Sequence, residues 1–586
     1  MCLSSFNDLV HQLAERVLQR TDLTQELISD TAARLEGVTV RLGELRDLLP
    51  QEIAPGVAFD PTHPSLRTPP QIKLEDLAGA GSGGTGYAAV VPGGAAGEAA
   101  PGTAEPGTAE PAAPRPEICA DDDLAGLSIA DLLAEIHSRR LSPVELVERV
   151  LARIEALEPR LNAFVTVMAD EARRQARALE EELASGRSPR PLHGIPVAIK
   201  DNIDVAGVPT TAGSRTRADH VASADATVVA RLRQAGAVII GKTATHEFAF
   251  GVTTDTPYHG PVQNPWRPGH TAGGSSGGSG AAVGARIVPA ALGTDTGGSI
   301  RIPAAACGTV GFKATYGLVS KHGVVPLCWS IDHVGPLAHT VDDAARVLAA
   351  IAGPDPLDAT TLGPAQAGAV RWDAAGDAGN LSDVRIGLPA GWLDDRVDPG
   401  VRARIDEALR ALAGLGAQIE EVPYPPPGVM ALLNRVLALA EGSAYHARAL
   451  AARGGDYAPD VRARFELGQF LLAQDYLLAL RLRTEMARIT HQALDRVTVL
   501  VTPTMPITAP PFGQAVRSWG SGQAEAVPDA MIRLTAPFSL IGFPALSVPC
   551  GTAGGLPVSI QIVGRPLDEA VLVRIGRAVE QSLGAA

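Results

Sequence analysis

Residues 269–280 read GHTAGGSSGGSG, with six glycines in twelve positions. Composition alone would make this stretch a flexible linker. A linker is flanked by polar, featureless sequence, whereas these serines lead into AAVGARIVPAAL (281–292), which is apolar enough to be buried. Residues 273–277, GGSSG, also fit GxSxG, the strand-to-helix elbow that presents a serine nucleophile. That elbow needs a strand immediately before it, and NPWRPGHTA (264–272) is too rich in proline and glycine to be a buried strand. Neither a linker nor an elbow accounts for the stretch, so the neighbouring sequence has to decide.

Upstream, IPVAIKDN (195–202) reads as a short strand buried on both faces, with Lys200 at its end. Ser142, Pro143 and Glu145 form a helix start with a capping box, and Val147, Val150, Leu151, Ile154 and Leu157 supply one apolar face. Residues 225–235 read as a helix closed by Gly236, and AVII (237–240) as the next strand. Downstream, strand signals recur at VRIGLP (384–389), VTVLVTP (497–503), ALSVPC (545–550) and PVSIQIVG (557–564). This alternation predicts one large α/β domain over 121–586. Residues 236–243, GAVIIGKT, match the phosphate-loop pattern, but Ala-Val-Ile-Ile is strand-like where that loop must curl, so a strand followed by a turn is expected.

Residues 1–75 carry narrow apolar stripes (Phe6, Leu9, Leu13, Val17; Leu35, Val38, Leu42, Leu45, Leu49) and read as a helical appendage that needs another surface to cover it. Residues 76–120, containing GAGSGGTG and PGTAEPGTAEP, read as a disordered Gly/Ala/Pro-rich tether.

The chain has 586 residues, 46% hydrophobic and 19% charged, with a net charge of -14. No basic block is present, which argues against a nucleic-acid partner. No apolar run reaches membrane-spanning length and no secretion signal opens the chain, so no membrane association and a cytoplasmic location are expected. The five scattered cysteines (Cys2, Cys119, Cys307, Cys328, Cys550) suggest neither a disulfide framework nor a zinc site.

Lys200, Ser275 in GGSSGGSG and Ser299 in GTDTGGSIRIPAAACG (293–308) together resemble the amidase signature family of serine amidohydrolases. The resemblance extends over GPVQNPW (260–266), GFKATYGLVS (311–320) and the ending GFPALSVPCG…GLPVSIQIVGRP (542–566), and so over most of 125–583. It implies a central mixed β-sheet flanked by helices, a small-molecule amide substrate, no metal and no cofactor. By that resemblance Ser299 is the nucleophile, Lys200 the base, and Ser275, preceded by a cis peptide bond, the relay between them. A lysine base must be neutral, and burial among Val197, Ala198 and Ile199 would lower its pKa. A salt bridge from Lys200 to Asp201 or Asp204 is the competing reading of the residue alone. Thr296, Gly297 and Gly298 are expected to form the oxyanion hole, Asp295 and Arg301 a supporting ion pair, and Ser276 and Ser279 structural hydrogen bonds.

Many relatives have Asn where FSLIGFPA carries Ser539, a departure expected to reshape the pocket edge. The pocket is expected to draw on 248–258, 328–333, 430–490 and 503–533. The activity implied is hydrolysis of an amide, carbamate or urea-type C–N bond. The alternative is a glutaminase-type amidotransferase subunit that delivers ammonia to a partner. A homodimer is the family-based expectation. Residues 50–64, PQEIAPGVAFDPTHP, faintly resemble the tail of small subunits that pair with some members, so 1–75 reads as a fused small-subunit-like segment contacting the catalytic domain.

Overall fold

The computed structural model describes residues 61–62, 116–372, 376–394, 396–520 and 522–584. The helical appendage and most of the tether lie outside these residues. Pro61 and Thr62 are described, and they sit on the main body. The Pro61 carbonyl lies 3.2 Å from His491 Nε2, and Thr62 Oγ1 accepts from Gln366 Nε2 at 3.0 Å. Residues 116–120, which composition placed with the tether, also pack on the body. Ile118 is buried and its N–H donates to the Pro265 carbonyl, while that of Ala120 donates to Ala285.

Eleven strands make one mixed sheet: β1 (Phe164–Val167), β2 (Pro196–Lys200), β3 (Val238–Thr243), β4 (Ala290–Asp295), β5 (Val310–Lys313), β6 (His333–Ala338), β7 (Arg385–Pro389), β8 (Gln418–Val422), β9 (Val499–Pro503), β10 (Ala545–Ala553) and β11 (Leu556–Val563). Their order is β1-β3-β2-β4-β6-β5-β10-β11-β9-β7-β8. β2 runs parallel to both β3 and β4, and β4 pairs antiparallel with β6, with Asp295 opposite His333.

β2 shows why its sequence has no polar alternation. Val197 and Ile199 enter one core while Ala198 enters the core on the other face. Successive side chains alternate, so Lys200 points to the same face as Ala198. The phosphate-loop look-alike is strand β3, buried at every position.

Helix α1 (Pro143–Leu161) starts as its sequence predicts, with the Ser142 hydroxyl accepting from the Val144 and Glu145 N–H groups at 3.0 and 3.4 Å. The return bond of a capping box is absent among the described residues. The Ser142 hydroxyl donates to Glu180, and Glu145 faces Arg149 one turn on at 3.7 Å.

The GGSSGGSG stretch runs into a helix that its composition conceals, α2 (Gly277–Gly284), buried throughout. Glycine is a poor helix former, and close packing overrides that propensity here. A Cβ on Gly278 would lie 2.4 Å from the Ala244 nitrogen, so only glycine lets α2 lie this close to the segment following β3. Cys307, Cys328 and Cys550 are buried free thiols. Among the described residues no helix is long and apolar enough to cross a membrane.

Candidate active site

Lys200 reaches the end of β2 fully buried, and its Nζ donates to Ser275 Oγ and to Thr294 Oγ1, both at 2.7 Å. No carboxylate pairs with it among the described residues. Asp201, the salt-bridge alternative, instead binds Lys242 Nζ at 2.9 Å and accepts from the Thr211 N–H and hydroxyl. Burial lowers the Lys200 pKa to about 7, against the raising effect of the more distant Asp295 and Asp332 carboxylates.

The peptide bond from Gly274 to Ser275 is cis, and Ser275 is fully buried. The Ser276 N–H donates to the Ser299 carbonyl at 3.3 Å, joining the two serine segments. Ser276 Oγ donates to the Thr294 carbonyl at 3.2 Å and Ser279 Oγ to the Leu292 carbonyl at 2.9 Å, so both hydroxyls fasten α2 to β4. Ser299 lines an open pocket, and no hydrogen bond joins its Oγ to Ser275 among the described residues.

The turn 296–299 follows β4 directly. The N–H groups of Thr296, Gly297 and Ser299 take no acceptor among the described residues, and all three residues line the pocket. Gly298 was expected to be a third glycine-turn donor, and the structure corrects this. Its N–H donates to Asp295 Oδ1 at 2.8 Å and is unavailable to a ligand. Its role is conformational: φ is +136°, and a Cβ there would lie 2.1 Å from Thr535 Oγ1.

Each open donor peptide is held from behind. The Asp295 carbonyl lies 3.1 Å from His333 Nδ1, and the Thr296 carbonyl accepts from Asn434 Nδ2 at 2.8 Å. The Thr296 hydroxyl donates to Asp332 Oδ1 at 2.6 Å. Asp295 and Arg301 form the expected ion pair, both fully buried, 2.9 Å apart. Arg301 holds the Asp295 carboxyl well below the usual range against the cost of burial. Ser539 is part of this pair, accepting from Arg301 Nη2 at 2.6 Å and donating to Asp295 Oδ1 at 2.7 Å. It is fully buried and does not line the pocket, so the expected reshaping of the pocket edge at this position is corrected to support of the catalytic turn.

The pocket encloses about 970 Å³ including its mouth. Its walls come from Ala249–Val252, from helices α3 (Pro427–Arg453) and α4 (Pro459–Gly468), and from the segment around Ile532. The 328–333 segment instead lines a second cavity, which shares Ala249, Thr296 and Leu327 with the first. Sequence reading missed Thr294, Asp332, Asn434 and Thr535. Thr294 alone carried a signal, since it stands in the TDTGGS run on the strand beside Lys200. Asn434 lies 138 positions from Thr296, a separation that no local pattern bridges.

The profile of the Amidase family matches residues 145–573. The chain belongs to the amidase signature family. It is 42% identical over 460 residues to an amidase of Pseudomonas putida, covering 78% of this chain and 96% of that protein. It is 38% identical over 487 residues to a Glutamyl-tRNA(Gln) amidotransferase subunit of Carboxydothermus hydrogenoformans, covering 78% of this chain and 98% of that protein. Among solved structures it resembles a chain from a vestigial protein complex described as revealing the evolutionary origins of an s-triazine catabolic enzyme, with a TM-score of 0.73 and 36% identity over 78% of this chain and 99% of that one. Amidase signature enzymes share a Ser-Ser-Lys triad, and the positions matching its motifs here are Ser299, Ser275 and Lys200. Among the described residues no three His, Cys, Asp or Glu side chains are grouped to hold a metal ion.

Proposed function

We propose that this chain hydrolyses the C–N bond of a small-molecule amide, carbamate or urea-type compound through an acyl-enzyme on Ser299. The observation that carries this reading is the buried Lys200, with its pKa lowered to about 7 and its Nζ 2.7 Å from Ser275 Oγ, beside a turn whose three pocket-lining residues Thr296, Gly297 and Ser299 have N–H groups that take no acceptor among the described residues.

In this mechanism the Ser299 hydroxyl passes its proton through Ser275 to neutral Lys200 as its oxygen bonds the carbonyl carbon. The oxyanion is held by the N–H groups of Thr296, Gly297 and Ser299. The Lys200 ammonium returns the proton through Ser275 to the leaving nitrogen as the C–N bond breaks, releasing ammonia or an amine. Water, deprotonated by the same relay, then attacks the ester and frees the carboxylic acid and Ser299.

Just over half of the pocket-lining residues are Ala, Val, Leu, Phe, Pro or Ile, and its charged groups are the Arg435–Asp529 ion pair and Arg464. This lining favours a largely apolar acyl group. The second reading, as one component of an amidotransferase, has its support in the relatives that carry that name. The two separate in one assay: a panel of aliphatic amides, aryl amides, carbamates and glutamine is incubated with the isolated protein. Steady ammonia or amine release from an apolar amide without any partner is the expected result. Turnover of glutamine alone, and only with a partner added, would favour the second reading.

The N-terminal region is read as a segment fused in cis to the catalytic body, supported by the Pro61 and Thr62 contacts. Cleavage by limited proteolysis between 76 and 115 is therefore expected to leave both pieces co-eluting on gel filtration. Separate elution would contradict it.

A further inference from the structure

Two buried nitrogen-bearing side chains near the 296–299 turn take no part in the chemistry above. Lys313 ends β5 fully buried, with Nζ 2.5 Å from the Phe543 carbonyl, 3.2 Å from the Ala314 carbonyl and 3.4 Å from His333 Nε2. His333 opens β6, and its Nδ1 lies 3.1 Å from the Asp295 carbonyl. No carboxylate lies within ion-pair distance of Lys313 among the described residues.

The four contacts can be tested by counting protons. Three of them end on carbonyl oxygens, which only accept, and the fourth joins two nitrogens, so four N–H groups are required. A neutral lysine and a neutral histidine supply three. With three, one of the four contacts lacks its hydrogen: a carbonyl loses this donor, or two lone pairs face each other, either between Nζ and Nε2 or between Nδ1 and the Asp295 oxygen. Burying a polar group with its hydrogen bond unmade is costly. Burial drives both groups towards their neutral forms, with Arg301 repelling Lys313 and Lys313 repelling His333. The contacts require the opposite. One net positive charge satisfies all four, whether the linking proton sits on Nζ or on Nε2. In both arrangements Nδ1 carries a hydrogen and donates it to the Asp295 carbonyl.

That carbonyl belongs to the same peptide unit as the Thr296 N–H, one of the three open donors. A hydrogen bond to its oxygen fixes the plane of the peptide and makes its N–H a stronger donor. We infer that Lys313 and His333 are positioning residues that share one positive charge and, through His333 Nδ1–H, orient and polarise the peptide whose N–H faces the reacting carbonyl. The consequence for rate rests on the Ser299 reading; the proton arrangement does not.

Two measurements test the inference. Protein labelled with ¹⁵N in histidine, with the His333 signals assigned by comparison with His333→Gln, is expected to show a protonated Nδ1 throughout pH 6–9. An Nδ1 without hydrogen overturns the inference, and this result needs no variant that removes the contact. In the second, the rate of Ser299 modification by a fluorophosphonate is followed. His333→Phe is expected to slow it about 10- to 100-fold with little change in probe saturation. His333→Gln, which can both donate to Asp295 and accept from Lys313, is expected to recover most of the loss. A Phe variant as fast as the parent, or a Gln variant as slow as Phe, overturns the positioning role. If the fluorophosphonate fails to modify Ser299 in the parent protein while Nδ1 is protonated, the fault lies with the Ser299 reading.

Discussion

Ser299→Ala is expected to lower kcat by at least about 10⁴-fold while leaving KM within a few-fold and the fold intact. The hydroxyl is the only group in this account that bonds to the substrate carbon, and no neighbouring nucleophile is placed to replace it. Ser275, the nearest candidate, is fully buried with its Oγ engaged by Lys200. Ser299 Oγ itself takes no hydrogen bond among the described residues, so its removal leaves no buried donor or acceptor unpaired and unfolding should move little. Loss of a nucleophile from a coupled triad costs nearly the whole catalytic effect of that triad, because its members act as a unit. The residual rate would come from the open N–H groups of the turn. Ammonia or amine release from the best substrate of the panel is the measurement.

The second large effect is on pH dependence. An ordinary lysine with a pKa near 10.5 is neutral in only about one molecule in three thousand at pH 7. Lys200, with its pKa lowered to about 7, is neutral in about half. The rate kcat/KM is therefore expected to rise tenfold per pH step below about 7 and to level off above it, since the base works only when unprotonated. Lys200→Met should remove that limb and lower the rate by at least about 10³-fold.

Stability gives an independent check of sign. The folded pKa lies below the unfolded one, so between about 7 and 10.5 the unfolded chain binds more protons at this site. The parent protein is thus stabilised as pH rises through that window. Lys200→Met lacks this dependence. The difference in stability between parent and variant should move in the parent's favour from pH 7 towards pH 10, measured by denaturant unfolding. A flat difference would mean that Lys200 is not shifted.

How far these features were legible in the sequence depended on distance along the chain. β2 and β3 were readable because continuous apolar runs of four or five residues ending at Gly or a charged residue have few other uses in a large core. Their motifs placed Lys200, Ser275 and Ser299 by resemblance. β4 and β6 were not read, since AALGTD and HVGPLA contain glycine and proline that argue against central strands. In the fold those residues let neighbouring groups approach closely: a Cβ on Gly335 would lie 2.2 Å from the Phe312 carbonyl. The helix Gly277–Gly284 was hidden for the same reason, because its glycines record close packing where composition suggests flexibility.

At the site, the sequence pointed to a glycine-rich donor turn but could not say which N–H groups stay open. That depends on Asp295 turning back to capture Gly298, a choice made by the fixed position of Arg301. The residues behind the turn, His333, Asn434 and Thr535, come from three separate parts of the chain, and only the folded sheet brings them together. Ser539 shows the limit of reading by resemblance: its departure from the common Asn marked the position as different, yet the structure places it in the Asp295–Arg301 network, away from the pocket wall.

The central claim is that Ser299, and not Ser275, carries the acyl group. The direct measurement is to trap the covalent adduct with a fluorophosphonate, digest the protein and map the modified peptide by mass. The adduct is expected on the peptide containing TDTGGSIR, at Ser299, and is expected to vanish in Ser299→Ala. An adduct on Ser275 within GGSSGGSG, surviving Ser299→Ala, would contradict the account.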